Sequence, residues 1–399
     1  MAIASTNPAT GELLQSFDAL TAEQIEEKLA AAATTFRSYR TTTFAERAGW
    51  LRAAADILDA EAEALGRLAT LEMGKTLASA IAEVGKCAKG CRWYAEHTEA
   101  LLADQPHPVD GADVFTRYEP LGPVLAIMPW NFPYWQVFRF AAPALMTGNV
   151  GLLKHASNVP QCALAIEDVL RRAGFPEGAF QTLLVGSGAI EAIIEDRRVR
   201  AVTPTGSEAA GRAVGATAGA TIKPSVLELG GSDAFVVMPS ADLDTAVAKA
   251  VHSRTLNNGQ SCVNAKRFIV HEEIADEFVR RMVAKLESLK LGDPMDEDTQ
   301  MGPLSSPDAV EEIDRQVQET IAAGARLHTG GKPLGGPGSF YPPTLLTDIP
   351  DGSPGHTEEF FGPVALVWRA RDLDDAIRIA NDSDLGLGGS AWTADPAEQ

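Results

Sequence analysis

The sequence has no apolar window long enough to span a bilayer. Its start, Met1-Ala-Ile-Ala-Ser-Thr-Asn-Pro8, has no basic segment followed by an apolar run, so no secretory signal is expected. Basic side chains are scarce: 34 against 54 acidic ones, a formal charge of −20. That excludes nucleic acid and anionic membranes as natural partners, because both need a basic surface. Cysteine is scarce too, at Cys87, Cys91, Cys162 and Cys262. Cys87 and Cys91 lie four apart in a helical stretch with no second pair to complete a zinc site. The expectation is a reducing, cytoplasmic compartment with no structural disulfide and no metal. There is no internal repeat and no low-complexity segment.

What is present suits a globular protein. A chain of 399 residues, 45% hydrophobic and 22% charged, supports two or three domains with sizeable cores. Asn7-Pro8-Ala9-Thr10-Gly11-Glu12 is a turn between two short extended segments. Thr21-Ala-Glu-Gln24 is a capping-box pattern that starts a helix. Ala-, Leu- and Glu-rich helices then run to about Ala103, interrupted near Arg40–Thr43 and at Met73-Gly74-Lys75. Gln105–Gly111 reads as a turn-rich break. Asp113–Glu119 alternates like a half-exposed strand, an edge element able to pair with a partner.

Strands and helices then alternate, the signature of a parallel sheet with crossover helices. The predicted strands are Val124–Pro129, Val150–Lys154, Phe180–Val185, Val199–Thr203 and Val226–Leu229. The helices between them are Phe138–Met146, Pro160–Ala173, one ending at Glu195 and one ending at Ala218. This pattern is a dinucleotide-binding architecture. Gly186-Ser-Gly188 has two glycines of a phosphate-binding fingerprint and then Glu191 where a third is expected, so a tight turn explains it equally well. Ser207, after Gly206, caps the next helix; its N-terminus is either an anion site or a plain cap. A second α/β segment begins at Gly230. Its strands are Phe235–Met238, Lys266–Val270 and Pro363–Arg369. Its helices are Asp242–Leu256, Ile274–Leu289, Asp308–Ala323 and Leu373–Asn381.

One thiol stands apart. Asn257-Asn-Gly-Gln-Ser-Cys262 follows a helical pattern and precedes a strand, and Asn257, Asn258 and Gly259 are helix-stop residues. Cys262 therefore lies in a polar connection. It is either a structural cysteine or a nucleophile.

Five stretches in this order carry a resemblance: Pro129-Trp-Asn-Phe-Pro133, Thr205-Gly-Ser207, Glu228-Leu-Gly-Gly231, Gly259-Gln-Ser-Cys262 and Glu359-Phe-Phe-Gly-Pro363. The chain resembles the aldehyde dehydrogenase superfamily over nearly its whole length. Trp135-Gln-Val-Phe-Arg-Phe140 and Leu153-Lys-His-Ala-Ser-Asn158 look most like bacterial succinate-semialdehyde dehydrogenases. The implied fold is α/β: a Rossmann-type cofactor domain (1–103 and 124–228), an α/β catalytic domain (229–399), and a small β oligomerisation element (104–123). The implied activity is NAD(P)-dependent oxidation of a small aldehyde by a homo-oligomer.

The implied roles agree with the chemistry of the residues. Cys262 is the nucleophile. Asn131 and the Cys262 backbone N–H hold the oxyanion, and Glu228 is the general base for thioester hydrolysis. The resemblance places Ile127, Pro129, Trp130, Lys154, Ser157, Gly206, Ser207, Leu229, Glu359 and Phe361 at the cofactor, and Arg139 and Trp135 at the substrate. Arg139 is otherwise an ordinary helix-surface arginine. A CoA-acylating relative is the nearest competing reading, and Glu228 argues against it. A catalytically silent cofactor-binding protein is the other.

Two departures matter. Several relatives carry an arginine six residues before the catalytic cysteine; here Leu256 stands there, with Arg254 two residues earlier. Relatives also continue beyond the position of Gln399, so the resemblance implies a further C-terminal segment and weak assembly and turnover for residues 1–399 alone. At the adenosine ribose, NAD-preferring sites commonly present a carboxylate. Ser157 stands here instead, which leaves room for a 2′-phosphate beside Lys154 and favours NADP over NAD. Ser157→Glu is accordingly expected to shift the ratio of kcat/KM values toward NAD; an unchanged ratio would dismiss the ribose argument.

Overall fold

The structure is a computed structural model that describes residues 3–399. The chain divides into two compact units. The first comprises the start of the chain up to Thr6, then Leu13–Glu72 and Ala78–Glu228. The second comprises Asn7–Glu12, Met73–Leu77 and Leu229–Gln399.

The first unit opens with an antiparallel ribbon, β1 (Ile3–Thr6) and β2 (Leu13–Phe17). Four helices follow: α1 (Ala22–Tyr39), α2 (Phe44–Ala60), α3 (Ala62–Met73) and α4 (Leu77–Leu101). α1 starts where the sequence pattern puts it, with Thr21 and Gln24 forming a capping box. Thr43 and Glu46 do the same for α2. Next come β3 (Gln105–Val109) and β4 (Ala112–Thr116), an antiparallel hairpin. The expected break at Gln105–Gly111 is thus corrected: Gln105–Val109 is a strand. Its prolines, Pro106 and Pro108, alternate with the other residues. An isolated two-stranded ribbon leaves one side of each strand without ladder bonds, so two missing N–H groups are tolerated.

The remaining elements form one parallel sheet with its crossovers: β5 (Pro123–Met128), α5 (Trp135–Met146), β6 (Val150–His155), α6 (Pro160–Arg172), β7 (Phe180–Thr182), α7 (Ile190–Glu195), β8 (Ala201–Pro204) and α8 (Glu208–Ala220). The strand order is β7-β6-β5-β8, all parallel. The chain winds outward in one direction from β5 to β7, then returns to place β8 on the other side of β5. That reversal is a topological switch point, and such sheets bind ligands at the carboxyl ends of the strands there. The segments leaving those ends are Pro129–Pro133 after β5 and Thr205–Ser207 after β8. Val226–Leu229, expected as a strand, contributes only isolated bridges, Val202↔Ser225 and Thr205↔Glu228.

The second unit is a six-stranded sheet with the order β11-β12-β13-β10-β9-β14. In chain order its elements are β9 (Asp233–Val237), α9 (Leu243–Thr255), β10 (Ala265–His271), α10 (Glu272–Glu287), α11 (Pro307–Ala323), β11 (Arg326–Thr329), β12 (Thr344–Thr347), α12 (Pro354–Thr357), β13 (Val364–Ala370), α13 (Leu373–Asn381) and β14 (Gly389–Trp392). Only the β11–β12 pair is antiparallel. β11 and β12 escape sequence reading because each is four residues long, too short for a period to show.

β10 lies at the centre of this sheet, paired with β9 and β13. It directly follows the Cys262 turn. Phe268 on β10 is fully buried, with ring contacts to Phe235 at 5.4 Å and Phe278 at 6.3 Å. Phe268→Ala should cost about 3–5 kcal/mol through lost burial and a residual cavity. A urea midpoint within error of the native one would show that this cluster does not anchor β10.

Candidate active site

In the first unit, the segment after β5 carries Asn131, which is buried. Gln136 Nε2 donates to its amide oxygen at 3.5 Å. The segment is gripped from two directions. The Glu83 carboxylate on α4 accepts the backbone N–H groups of Tyr134 and Trp135, both at 2.8 Å. This remote cap explains why α5 begins at Trp135 rather than at the expected Phe138. A buried carboxylate supplies acceptors for its first N–H groups, and nothing local in the sequence announces it. From the other side comes His155, at the end of β6. Its Nε2 lies 2.9 Å from the Pro133 carbonyl, and its Nδ1 accepts the Ala156 N–H at 2.9 Å. Nδ1 also lies 3.2 Å from the Met128 carbonyl; neutral imidazole with its proton on Nε2 donates to Pro133 O and accepts from Ala156 N–H.

At the other arm of the switch point, Glu228 N–H donates to the Pro204 carbonyl and the Glu228 carbonyl accepts from Gly206 N, both at 3.0 Å. The Glu228 carboxylate is 41% exposed and lies 3.7 Å from Arg139 Nη2. Arg139 also donates to Thr205 Oγ1 at 3.1 Å. All three residues line a cleft of about 500 Å³ whose walls are largely apolar, including Met128, Phe140, Pro143 and Val226. The structure thus brings Arg139 and Glu228 together. A long, part-exposed ion pair of this kind is weak and exchangeable. Trp135, also expected near the substrate, has the Lys86 ammonium 3.9 Å from its ring centroid.

A second cleft of the first unit, about 540 Å³, is lined by Ile127, Lys154, Ser187, Ile190, Glu191, Ile194, Ala210, Ala213, Val214 and Thr217. Ile127 and Lys154 were expected there. Burial pushes the Lys154 ammonium below its ordinary pKa. Ser157, Pro129, Trp130, Gly206 and Ser207 do not line this cleft. The Ser157 carbonyl accepts Ala4 N–H from β1 at 3.0 Å. Ser207 caps α8, its Oγ accepting Ala210 N–H at 3.3 Å. A β-carbon added at Gly206 would meet nothing within 4 Å. An apolar slot carrying Lys154 and Glu191 has the chemistry to take a base and its sugar, and an open glycine before a helix start has the chemistry to take phosphate.

In the second unit, Cys262 is partly buried, whereas Cys87, Cys91 and Cys162 are fully buried. Its turn opens with three successive left-handed residues, Asn257 (φ 56°), Asn258 (φ 57°) and Gly259 (φ 78°). Asparagine tolerates that region because its short side chain can bond locally. Asn257 Nδ2 donates to Gln260 O at 2.9 Å, and Asn258 Nδ2 donates to Gly74 O and Pro303 O, both at 2.8 Å. At Gly259 a β-carbon would collide with the Gly362–Pro363 backbone. At Gly231 it would lie 2.7 Å from the Cys262 carbonyl oxygen. Gly231 is therefore room for the cysteine's own backbone, and Gly230 is room for the Glu359 carboxylate.

Two buried cations complete the turn. Arg254 on α9, fully buried, donates to Gly259 O and to Ala265 O, the latter at 3.2 Å. Despite its nearness in sequence to the position of the relatives' arginine, it is a structural brace. Lys266 on β10 donates to Ser261 O at 2.9 Å and Cys262 O at 3.0 Å, and pairs with Glu359 at 3.0 Å. Glu359 and Phe361 are partly buried and flank the fully buried Phe360. Leu229, where this unit begins, is also partly buried. Sequence reading missed Glu83, His155, Arg254 and Lys266 as site-shaping groups. Only the burial expected of neighbouring β-strand residues hinted at His155 and Lys266.

Burial pushes His155 down from 6.5 to about 4. Above pH 6.5 the imidazole is neutral folded or unfolded, and its full contribution to stability is present. As pH falls from 6.5 toward 4, the unfolded chain binds a proton that the folded chain refuses, so stability is lost, by about 3 kcal/mol over that window. Urea titrations across it should show this loss, and His155→Asn should remove that component; an equal slope in the variant would overturn the assignment.

The Aldehyde dehydrogenase family profile matches residues 1–399. Succinate-semialdehyde dehydrogenase (NADP+) 1 of Mycobacterium tuberculosis H37Rv is 58% identical over 402 residues, covering 100% of this chain and 88% of the relative. Among solved structures, succinic semialdehyde dehydrogenase from Streptococcus pyogenes, in complex with NADP+, superposes with a TM-score of 0.97 at 34% identity, over 99% of this chain and 87% of that one. Gox0499, studied for its cofactor and substrate selection, gives 0.98 at 41% identity, over 100% of this chain and 87% of that one. The α/β fold and the five motifs agree with these matches: the chain belongs to the aldehyde dehydrogenase family.

Proposed function

We propose that this enzyme oxidises succinic semialdehyde to succinate with NADP+ as the preferred acceptor. The observation that carries the reading is the full-length similarity to NADP+-dependent succinate-semialdehyde dehydrogenases, with Cys262, Glu228 and Asn131 all retained. The Cys262 thiolate attacks the aldehyde carbon, forming a C–S bond and an oxyanion. The Asn131 amide and the Cys262 backbone N–H donate to that oxyanion. NADP+, when bound, supplies the acceptor for the hydride that leaves the carbon. A thioester on Cys262 remains. Glu228 takes a proton from water as the water attacks the thioester carbon, the C–S bond breaks, and the acid and the free thiol are released. A thioester passed to CoA would not need that base.

For the cofactor, Ile127 and Lys154 hold the adenosine. Gly206 and Ser207 offer the α8 N-terminus to phosphate, and Ser157 leaves the 2′-phosphate uncontested. Pro129, Trp130 and Leu229 complete the contacts. Glu359 takes the nicotinamide ribose, and Phe361 packs beside that ring. Arg139 leaves Glu228 for the substrate's distal carboxylate, with Trp135 alongside. Within this assignment residues 1–103 and 124–228 bind the dinucleotide, and 229–399 carry the catalytic cysteine. The β3–β4 hairpin exposes Val109, Val114 and Phe115, which suits pairing with a second copy in a homo-oligomer. A reducing cytoplasm keeps Cys262 a thiol. Among the described residues no helix is long and apolar enough to cross a membrane.

NADPH formation from succinic semialdehyde tests the reading. Cys262→Ala should abolish it while leaving NADP+ bound. Glu228→Gln should accumulate an acyl adduct on the protein, visible by mass. Retained turnover by the cysteine variant would sink the assignment, and normal steady-state turnover by the glutamate variant would remove the base role.

A further inference from the structure

The Lys266 ammonium donates to two carbonyls within the second unit, Ser261 O at 2.9 Å and Cys262 O at 3.0 Å, and forms an ion pair with a Glu359 carboxylate oxygen 3.0 Å away. The side chain is fully buried, so no bulk water competes for those donors. Its root is immobile, because the residues on either side, Ala265 and Arg267, pair with β9, and Arg267 pairs also with β13. An ammonium rooted in a sheet strand, bonded to two carbonyls and paired with one carboxylate, couples their positions. If Glu359 shifts, the ion pair and two carbonyl bonds must readjust together. The two carbonyls belong to the cysteine and the residue before it.

We propose that Lys266 is a positioning residue that ties the backbone of the nucleophile to the carboxylate that meets the cofactor, so that one buried charge sets both. The role rests on the assignment of Cys262 and Glu359 above. It is distinct from that of Arg254, which braces the same turn at Gly259 and Ala265. It makes no contact with substrate. The charged groups acting on the ammonium are Glu359, from the segment after α12, and Asp233 on β9, which favour its charge, and Arg254 on α9, which opposes it. Burial outweighs them and brings Lys266 down to about 8. Loss of its proton leaves the partly buried Glu359 carboxylate beside an uncharged amine, an environment that no longer holds it in place.

The test uses two readouts, neither of which needs turnover. One is NADP+ affinity between pH 7 and 9, from quenching of protein fluorescence. The other is alkylation of Cys262 by iodoacetamide without cofactor; the other three thiols are buried and silent. Lys266→Met keeps the apolar stem and removes the donors. It should weaken NADP+ binding by about tenfold or more, flatten the pH dependence that the native protein shows as pH rises through 8, and slow alkylation. Glu359→Gln should flatten the same pH dependence and slow alkylation less than Lys266→Met does, because Lys266 keeps its two carbonyl bonds but loses its ion pair. Native affinity or native alkylation in a folded Lys266→Met variant overturns the proposal. If that variant does not fold, the other two proteins decide: a flat native profile, or a slope retained in Glu359→Gln, overturns it as well. Failure to oxidise succinic semialdehyde would count against the proposed substrate alone.

Discussion

The turn that bears Cys262 satisfies only part of its own backbone: Asn257 O and Ser261 O accept N–H groups of the turn and Gln260 O accepts Asn257 Nδ2. Further donors are needed for its other buried carbonyls, because a buried carbonyl without a donor is costly. The donors come from two cations, Arg254 and Lys266, placed by the end of α9 and by β10. Burying two positive charges is itself unfavourable, and the Glu359 carboxylate offsets part of it. Cys262 is therefore held by a small electrostatic assembly. Its members come from three parts of the second unit, and none is explained by local propensity.

The first unit solves its positioning problem with a different device. A parallel sheet reverses its winding beside β5, and the two segments leaving the carboxyl ends at that reversal present Asn131 and the Thr205–Ser207 turn. Parallel strands are covered on both faces, so their residues are apolar and rigid, and polar chemistry is confined to the strand ends. His155 and Glu83 then fix the first segment from two sides. The imidazole is neutral through burial, and the carboxylate is spent on two N–H bonds.

Much of this was legible in the residues. The alternation of Val124–Met128, Val150–His155 and Ala201–Pro204 with apolar helices announces the parallel sheet, because burial on both faces leaves a continuous apolar run. Asn257-Asn-Gly259 announces the end of α9, because only such residues accept a left-handed backbone cheaply. The clustering of Cys262 with Gly259 and the recurrence of the Glu228–Gly231 stretch carry the family. The limits are equally physical. Gln105–Val109 looks like a break because prolines are poor ladder donors, yet a hairpin needs donors on one side only. The cap on α5 comes from Glu83, some fifty positions away in sequence.

These misses share a cause. Periodicity reports which side of an element faces the core, and a motif reports which atoms do chemistry. Neither reports what a buried lysine or glutamate is bonded to. At Lys266 the sequence shows only a charged residue inside a strand, which by composition alone belongs on an exposed face. Its burial goes with its bonds to Ser261 O and Cys262 O and with the nearness of Glu359. The charge therefore belongs to the turn rather than to the strand. In a protein of formal charge −20, cations placed where no water reaches them are assigned by what they touch, and here they touch the backbone of the Cys262 turn.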